Sequence, residues 1–170
     1  MKRIALVILS VLILFCGCDL TATQKQMLPS AFCATAKIEF DDMVYEACIE
    51  RYADSNWKFE FLAPDAVKGL IFTIEGEETV ISFNGLHFTF DTEKFPVGSV
   101  VSMLTKSVDR IIPVELDIVS GETADFASSE IDGMSFAITL DKNGIPLSIQ
   151  FGNSGMKVTF TEFEVVTTGE

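Results

Sequence analysis

Cations are scarce in this chain. Twelve lysines and arginines stand against twenty-five aspartates and glutamates in 170 residues, a formal net charge of -13. Such a surface repels nucleic acid, anionic lipid headgroups and anionic wall polymers, so polyanion binders are excluded. Histidine is scarcer still: His87 stands alone, and no Ser/His/Asp set, HExxH, Walker loop or CxxC accompanies it. The chain reads as a non-enzyme without metal or cofactor. Long apolar runs are missing too, since the longest, residues 4–15, falls short of a bilayer span. No internal repeat or low-complexity run is present.

That short run has its own meaning. Lys2 and Arg3 precede it and "LFCGCDL" follows it, which gives the dimensions of a secretory signal. The end, "LFCGC", resembles the lipobox of bacterial lipoproteins, in which a small residue precedes a cysteine that receives diacylglycerol and becomes the new N-terminus. Gly17 and Cys18 fit that pattern, whereas Cys16 would put bulky Phe15 at the cleavage position. The resemblance implies signal removal between Gly17 and Cys18, and an extracytoplasmic cell-membrane protein held by its N-terminal lipid. Each buried methylene contributes about 0.8 kcal/mol, so a multiply acylated Cys18 needs no transmembrane helix. Losing residues 1–17 removes two cations and no acid, so 10 cations face 25 acids and the net charge becomes -15.

The rest has the length of one domain. Residues 18–32 read as lipidated cysteine and polar tether, and residues 33–168 as the folded unit. Period-two alternation dominates from residue 33. In "ATAKIEFDDMVYEACIE" a turn at Asp41-Asp42 matches Phe40 with Met43, Ile38 with Tyr45, Ala36 with Ala47 and Ala34 with Ile49, while Lys37 meets Glu46 on the other face. A loop over Tyr52 to Asn56 matches Trp57, Phe59 and Phe61 to Arg51, Ile49 and Ala47. Asn84-Gly85 is a strong hairpin signal that pairs Phe83 with Leu86 and Ile81 with Phe88. The "EGEE" loop matches Ile74 with Thr79, Phe72 with Ile81 and Leu70 with Phe83. In the last third, Ile138 is matched to Leu147, Phe136 to Ile149, and Ile149 to Val158, with a parity change after Thr161 that marks a bulge or strand end. About nine strands result, an antiparallel meander.

Between the sheet blocks, Val97, Val101, Leu104, Val108 and Ile111 recur at helical spacing and Pro113 closes the pattern. One helix of about 20 Å covers only part of a large apolar face. Either the sheet curls on itself or a cavity remains. The fold class is therefore mainly β, a curved antiparallel half-barrel with one amphipathic helix on its concave side.

The order of a strand pair, "FEFLAPDAVKGLIFTIEG", a hairpin, a helix and then "LDKNGIPLSIQFGNSGMKVTFTEF" resembles the LolA-type lipoprotein carriers and their lipoprotein relatives. Gly144, Pro146 and Phe160 to Phe163 match the glycine, proline and aromatic-ended last strand of those families. The resemblance spans residues 33–166 and implies a half-barrel whose lidded concavity holds acyl chains. It extends to the germination lipoprotein of spore-forming anaerobes, which works by binding a wall-modifying amidase. The soluble carriers lack a lipid anchor, and their long N-terminal helix has no counterpart in residues 19–32.

Two functions follow from different classes. In the first, the concavity binds an apolar ligand such as a lipid, lined by Phe40, Tyr45, Trp57, Phe59, Phe72, Phe83, Phe88, Val101 and Leu104. A filled core would use the same residues. In the second, the domain docks an exported envelope enzyme through its sheet edge or acidic face. A cavity of several hundred cubic ångströms favours the first, and a closed core with an exposed apolar patch the second. His87 falls on the polar face opposite Ser82, and the acid pairs Asp41-Asp42 and Glu77-Glu78 fall in turns, where charge is ordinary solvation. Cys33 and Cys48 share a face diagonally across the first hairpin, near the limit of disulfide reach, and are either bonded or free.

Overall fold

A computed structural model describes residues 24–52, 55–96 and 98–166. Twelve strands form one open antiparallel sheet: β1 Gln24–Gln26, β2 Phe32–Phe40, β3 Met43–Arg51, β4 Trp57–Ala63, β5 Ile71–Glu75, β6 Glu78–Phe83, β7 Leu86–Asp91, β8 Leu116–Ser120, β9 Asp125–Ile131, β10 Met134–Leu140, β11 Pro146–Phe151 and β12 Lys157–Val165. Helix α1, Val100–Ile111, lies between β7 and β8 in the chain. The spatial order is β1-β8-β9-β10-β11-β12-β2-β3-β4-β5-β6-β7. Neighbours are mostly consecutive in sequence, as short hairpins require. The exceptions are the β1–β8 contact and the β12–β2 contact, where the last strand joins the two halves of the sheet.

The tight turns form where the residues tolerate positive φ. Asp41 and Asp42 take φ of 50° and 61°, and Asn84 and Gly85 take 50° and 79°, the two left-handed positions that a two-residue hairpin demands. The pairings expected of β2 with β3, β3 with β4 and β6 with β7 are those found, including Ala36 with Ala47, Ile49 with Phe59, and Ile81 with Phe88. The parity change near Thr161 is a bulge between Phe160 and Glu162.

Four expectations are corrected. Lys37 does lie opposite Glu46, but its ammonium pairs along the strand with Glu39 at 2.9 Å. The β5–β6 register is the expected one, Ile74 with Thr79 and Phe72 with Ile81, but Leu70 precedes β5, so the ladder ends at Ile71 with Ser82 and the match of Leu70 to Phe83 is not made. Phe136 pairs with Phe151 and Ile138 with Ile149, two residues beyond the expected register. One residue of the shift comes from the 141–145 loop, where Asp141 Oδ1 accepts from Asn143 N and Ile145 N at 2.8 Å each and Gly144 turns at φ 80°, so that Pro146 faces Leu140; the other comes from a bulge that leaves Leu147 unpaired and exposed, with Ser148 opposite Thr139. Finally, the tether reading fails from Gln24 onward: β1 pairs with β8, and Leu28 and Ala31 are buried.

Helix α1 forms because its apolar residues fall on one stripe and its ends are satisfied. Ser99 Oγ accepts from Ser102 N at 3.1 Å as the N-cap, and Arg110 lies in the last turn, where the macrodipole favours a cation. Val101, Leu104, Val108 and Ile111 are buried against the sheet, at about 1.5–3 kcal/mol for each fully buried aliphatic side chain. Val97 lies outside the described residues. Among those described, no helix is long and apolar enough to cross a membrane.

Candidate functional site

One row of side chains crosses the sheet: Ile49 on β3, Phe59 on β4, Phe72 on β5, Ile81 on β6 and Phe88 on β7 are successive cross-strand partners. Such a row presents a single face, so its burial is decided by what lies over it. Phe59 and Phe72 are buried, with Phe61 and Phe95 packed edge-on or tilted against them at 4.9–6.1 Å. At β7 the cover has ended. Phe88 and Leu86 are each 61 % exposed and Phe83 38 %. Strand β7 is also a sheet edge, with no neighbour on its outer side among the described residues.

The expected lining residues therefore divide. Trp57, Phe59, Phe72, Val101 and Leu104 are buried in the core, and Phe40 and Tyr45 pack partly buried against it, Tyr45 on Phe61 at 5.4 Å. Phe83 and Phe88 leave the concavity's packing and form a separate exposed patch. The apolar void between α1 and the sheet, bounded by Leu28, Phe32, Val108, Ile149 and Phe163, measures about 10 Å³, the order of one water probe.

What holds α1 in place was not foreseen from sequence. Arg51, buried on β3, donates Nε to Asp109 Oδ1 of α1 at 2.9 Å, with Nη2 in ion-pair contact with the same oxygen at 2.9 Å, while Asp109 Oδ2 accepts from Trp57 Nε1 at 3.1 Å. The guanidinium also stacks over the Trp57 ring at 5.4 Å and donates to the Ser30 carbonyl. This clamp ties helix, two strands and the N-terminal segment together. Its one sequence signal is Arg51 on the inward parity of β3, a charge where the pattern asks for an apolar residue.

Beside the exposed patch, Glu75, Glu77, Glu78 and Asp91 bound an open groove of about 570 Å³ with Thr89 and Phe90. Asp91 caps a short 3-10 turn, Thr92–Lys94, by accepting from Glu93 N. His87 lies opposite Ser82, as its register requires, and its Nδ1 is 2.8 Å from Ser82 Oγ on an exposed face. Asp41 and Asp42 sit in the β2–β3 turn and Glu77 in the β5–β6 turn.

On the opposite face of the sheet Cys33 faces Glu50 and Cys48 faces Thr35, and both thiols are free. Burial, and after it the charge of Cys33, pushes the Cys48 thiol up. Glu50 accepts from Tyr52 and from Lys58 at 2.9 Å, bonds that hold its carboxyl below the ordinary range. Gly17 and Cys18 lie outside the described residues.

No protein-family model and no curated protein matches the sequence. Solved structures do. An uncharacterized conserved protein from Thermus thermophilus aligns over 84 % of this chain and 83 % of its own, at 14 % identity and a TM-score of 0.52. A LolA superfamily protein from Nitrosomonas europaea aligns over 84 % and 90 %, at 10 % identity and 0.45. A chain from the complex of the Clostridioides difficile CwlD amidase with the GerS lipoprotein aligns over 100 % and 95 %, at 11 % identity and 0.40. The likeness to the Thermus thermophilus protein is one of fold, and this chain's own version is an open antiparallel sheet with, among the described residues, one α-helix.

Proposed function

We propose that this is a lipid-anchored, extracytoplasmic, non-catalytic module that docks an exported protein at the β6–β7 end of its sheet. The observation carrying this reading is the row from Ile49 to Phe88, whose apolar side chains run from fully buried to 61 % exposed without a change of face. A patch of this kind at a sheet edge suits an extended segment that adds as a further strand, with main-chain bonds giving affinity and alternate side chains giving specificity. The flanking Glu75, Glu77, Glu78 and Asp91 suit a segment bearing lysine or arginine. The apolar void at Leu28, Phe32 and Val108 is about 10 Å³, too small to hold an acyl chain as it stands. Anchoring rests on the Gly17-Cys18 motif, and the non-catalytic reading on the scarcity of histidine and the placement of His87 on an exposed strand face.

A photoreactive residue placed at position 88 in living cells tests the docking, with position 44, also exposed, as control. The expected result is one adduct of discrete mass at 88, lost when Phe83→Glu is added, and none at 44. Equal adducts at both positions, or none at 88, would sink the proposal. The anchor is tested apart from this: Cys18→Ala should move the chain out of the membrane fraction.

A further inference from the structure

A second cleft, independent of the β7 edge, lies along the flank of α1. Its volume is about 270 Å³, room for about nine water-sized groups at about 30 Å³ each. Met103 of α1 with Met134 of β10 and Phe151 of β11 make its apolar walls, and Lys106 and Arg110 stand on the same helix face at i and i+4. No carboxylate lines it. Among the described residues neither Lys106 nor Arg110 makes an ion pair, whereas Lys25, Lys37, Arg51, Lys58 and Lys142 all do. In a chain of net charge -13, two uncompensated cations over a methionine-lined hollow reverse the local field. At the inner wall Ser102 buries a hydroxyl with no hydrogen-bond partner among the described residues, a polar group that the fold does not use.

We infer that this cleft binds a small single-chain amphiphile with an anionic head, a carboxylate or a phosphate. Lys106 and Arg110 take the head through charge-assisted hydrogen bonds. Met103, Met134 and Phe151 receive the chain, and methionine suits this because its unbranched thioether adapts to irregular apolar shapes. The volume fits a chain of about six carbons and excludes a diacyl lipid. Selectivity comes from the pair of cations, since an apolar wall by itself does not distinguish an acid from an alcohol.

The test uses the full mature chain in phosphatidylcholine nanodiscs, with the methionine methyl groups labelled for NMR. Hexanoate, hexyl phosphate, hexanol and inorganic phosphate are titrated separately, six-carbon probes being chosen for their weak partition into lipid. Hexanoate or hexyl phosphate should shift the Met103 and Met134 resonances saturably, and whichever binds more tightly names the head. The double variant Lys106→Gln/Arg110→Gln, both exposed side chains, should weaken that binding about tenfold, which corresponds to about 1.4 kcal/mol. Three results overturn the inference: hexanol binding as tightly as the acids, inorganic phosphate shifting the methionines as far as the amphiphiles, or no loss in the double variant.

Discussion

Replacing Asp109 with alanine should loosen α1 from the sheet, and the clamp allows its size to be worked out. The substitution removes the ion pair with Arg51, including its Nε hydrogen bond at 2.9 Å, and the bond from Trp57 Nε1 at 3.1 Å, while Arg51 keeps the Ser30 carbonyl and Ser55 Oγ. Breaking a fully buried pair costs about 3–5 kcal/mol because the remaining charge is stranded. Here the Asp109 side chain is 26 % exposed and the Arg51 side chain 5 %. Water can follow the lost carboxylate to the guanidinium, so about 2–3 kcal/mol is the appropriate figure. For a domain of this size that lowers the melting temperature by about 4–12 °C. The lone Trp57 reports directly, because its indole N–H loses its acceptor in the same step. Asp109→Asn, which keeps an acceptor without the charge, should fall between parent and alanine. Combining Asp109→Ala with Arg51→Met should cost less than the sum of the two. An alanine variant melting within about 2 °C of the parent would refute the clamp as the fastening of the helix.

Three further outcomes are expected. Ser102→Ala should raise stability by about 1 kcal/mol in urea denaturation, since it removes a fully buried hydroxyl that has no partner among the described residues; a loss of stability would mean that the hydroxyl is bonded. Glu50 is held below the ordinary glutamate range first by Tyr52 and then by Lys58, so its folded value lies below its unfolded one. Its contribution is present above that ordinary range and fades as pH falls through the depressed value. Carboxyl titration by NMR should show Tyr52→Phe moving Glu50 upward. Cys48 should need a higher pH than a free thiol for alkylation, first from burial and then from the neighbouring Cys33. Cys33→Ser should return part of that shift, and an unchanged alkylation profile would contradict the stated cause.

Local chemistry made much of the sheet legible. The Asp41-Asp42 and Asn84-Gly85 turns set the register of their flanking strands, so every expected pair across them is the pair found. Legibility ended where the determinant was distant or the pattern mixed. Gln24–Gln26 carries no apolar residue and is a strand through its pairing with Leu116–Ile118. "LDIVS" and "DFASSEI" alternate weakly because much of β8 and β9 is exposed. The β10–β11 register depended on side-chain bonds from Asp141 and on a bulge at Leu147, neither of which strand alternation encodes. For the site, Phe83 and Phe88 have the same parity as the buried Phe59 and Phe72, so sequence alone had no means of telling where the helix's cover stops. Arg51 and Asp109 are 58 residues apart, and only the folded chain brings them together.

The position of β12 between β11 and β2 has a consequence for a polypeptide that emerges amino end first. Until Lys157–Val165 is delivered, β2 to β7 and β8 to β11 can each zip through local hairpins, yet among the described strands only the three-residue β1–β8 pairing links one end of the chain to the other. The nine residues of β12 act as a keystone, and β2 must wait with a bare flank for a partner well over a hundred positions downstream. A stop codon ahead of Lys157 would therefore leave β11 and β2 each with a sticky margin, rather than a slightly shortened domain.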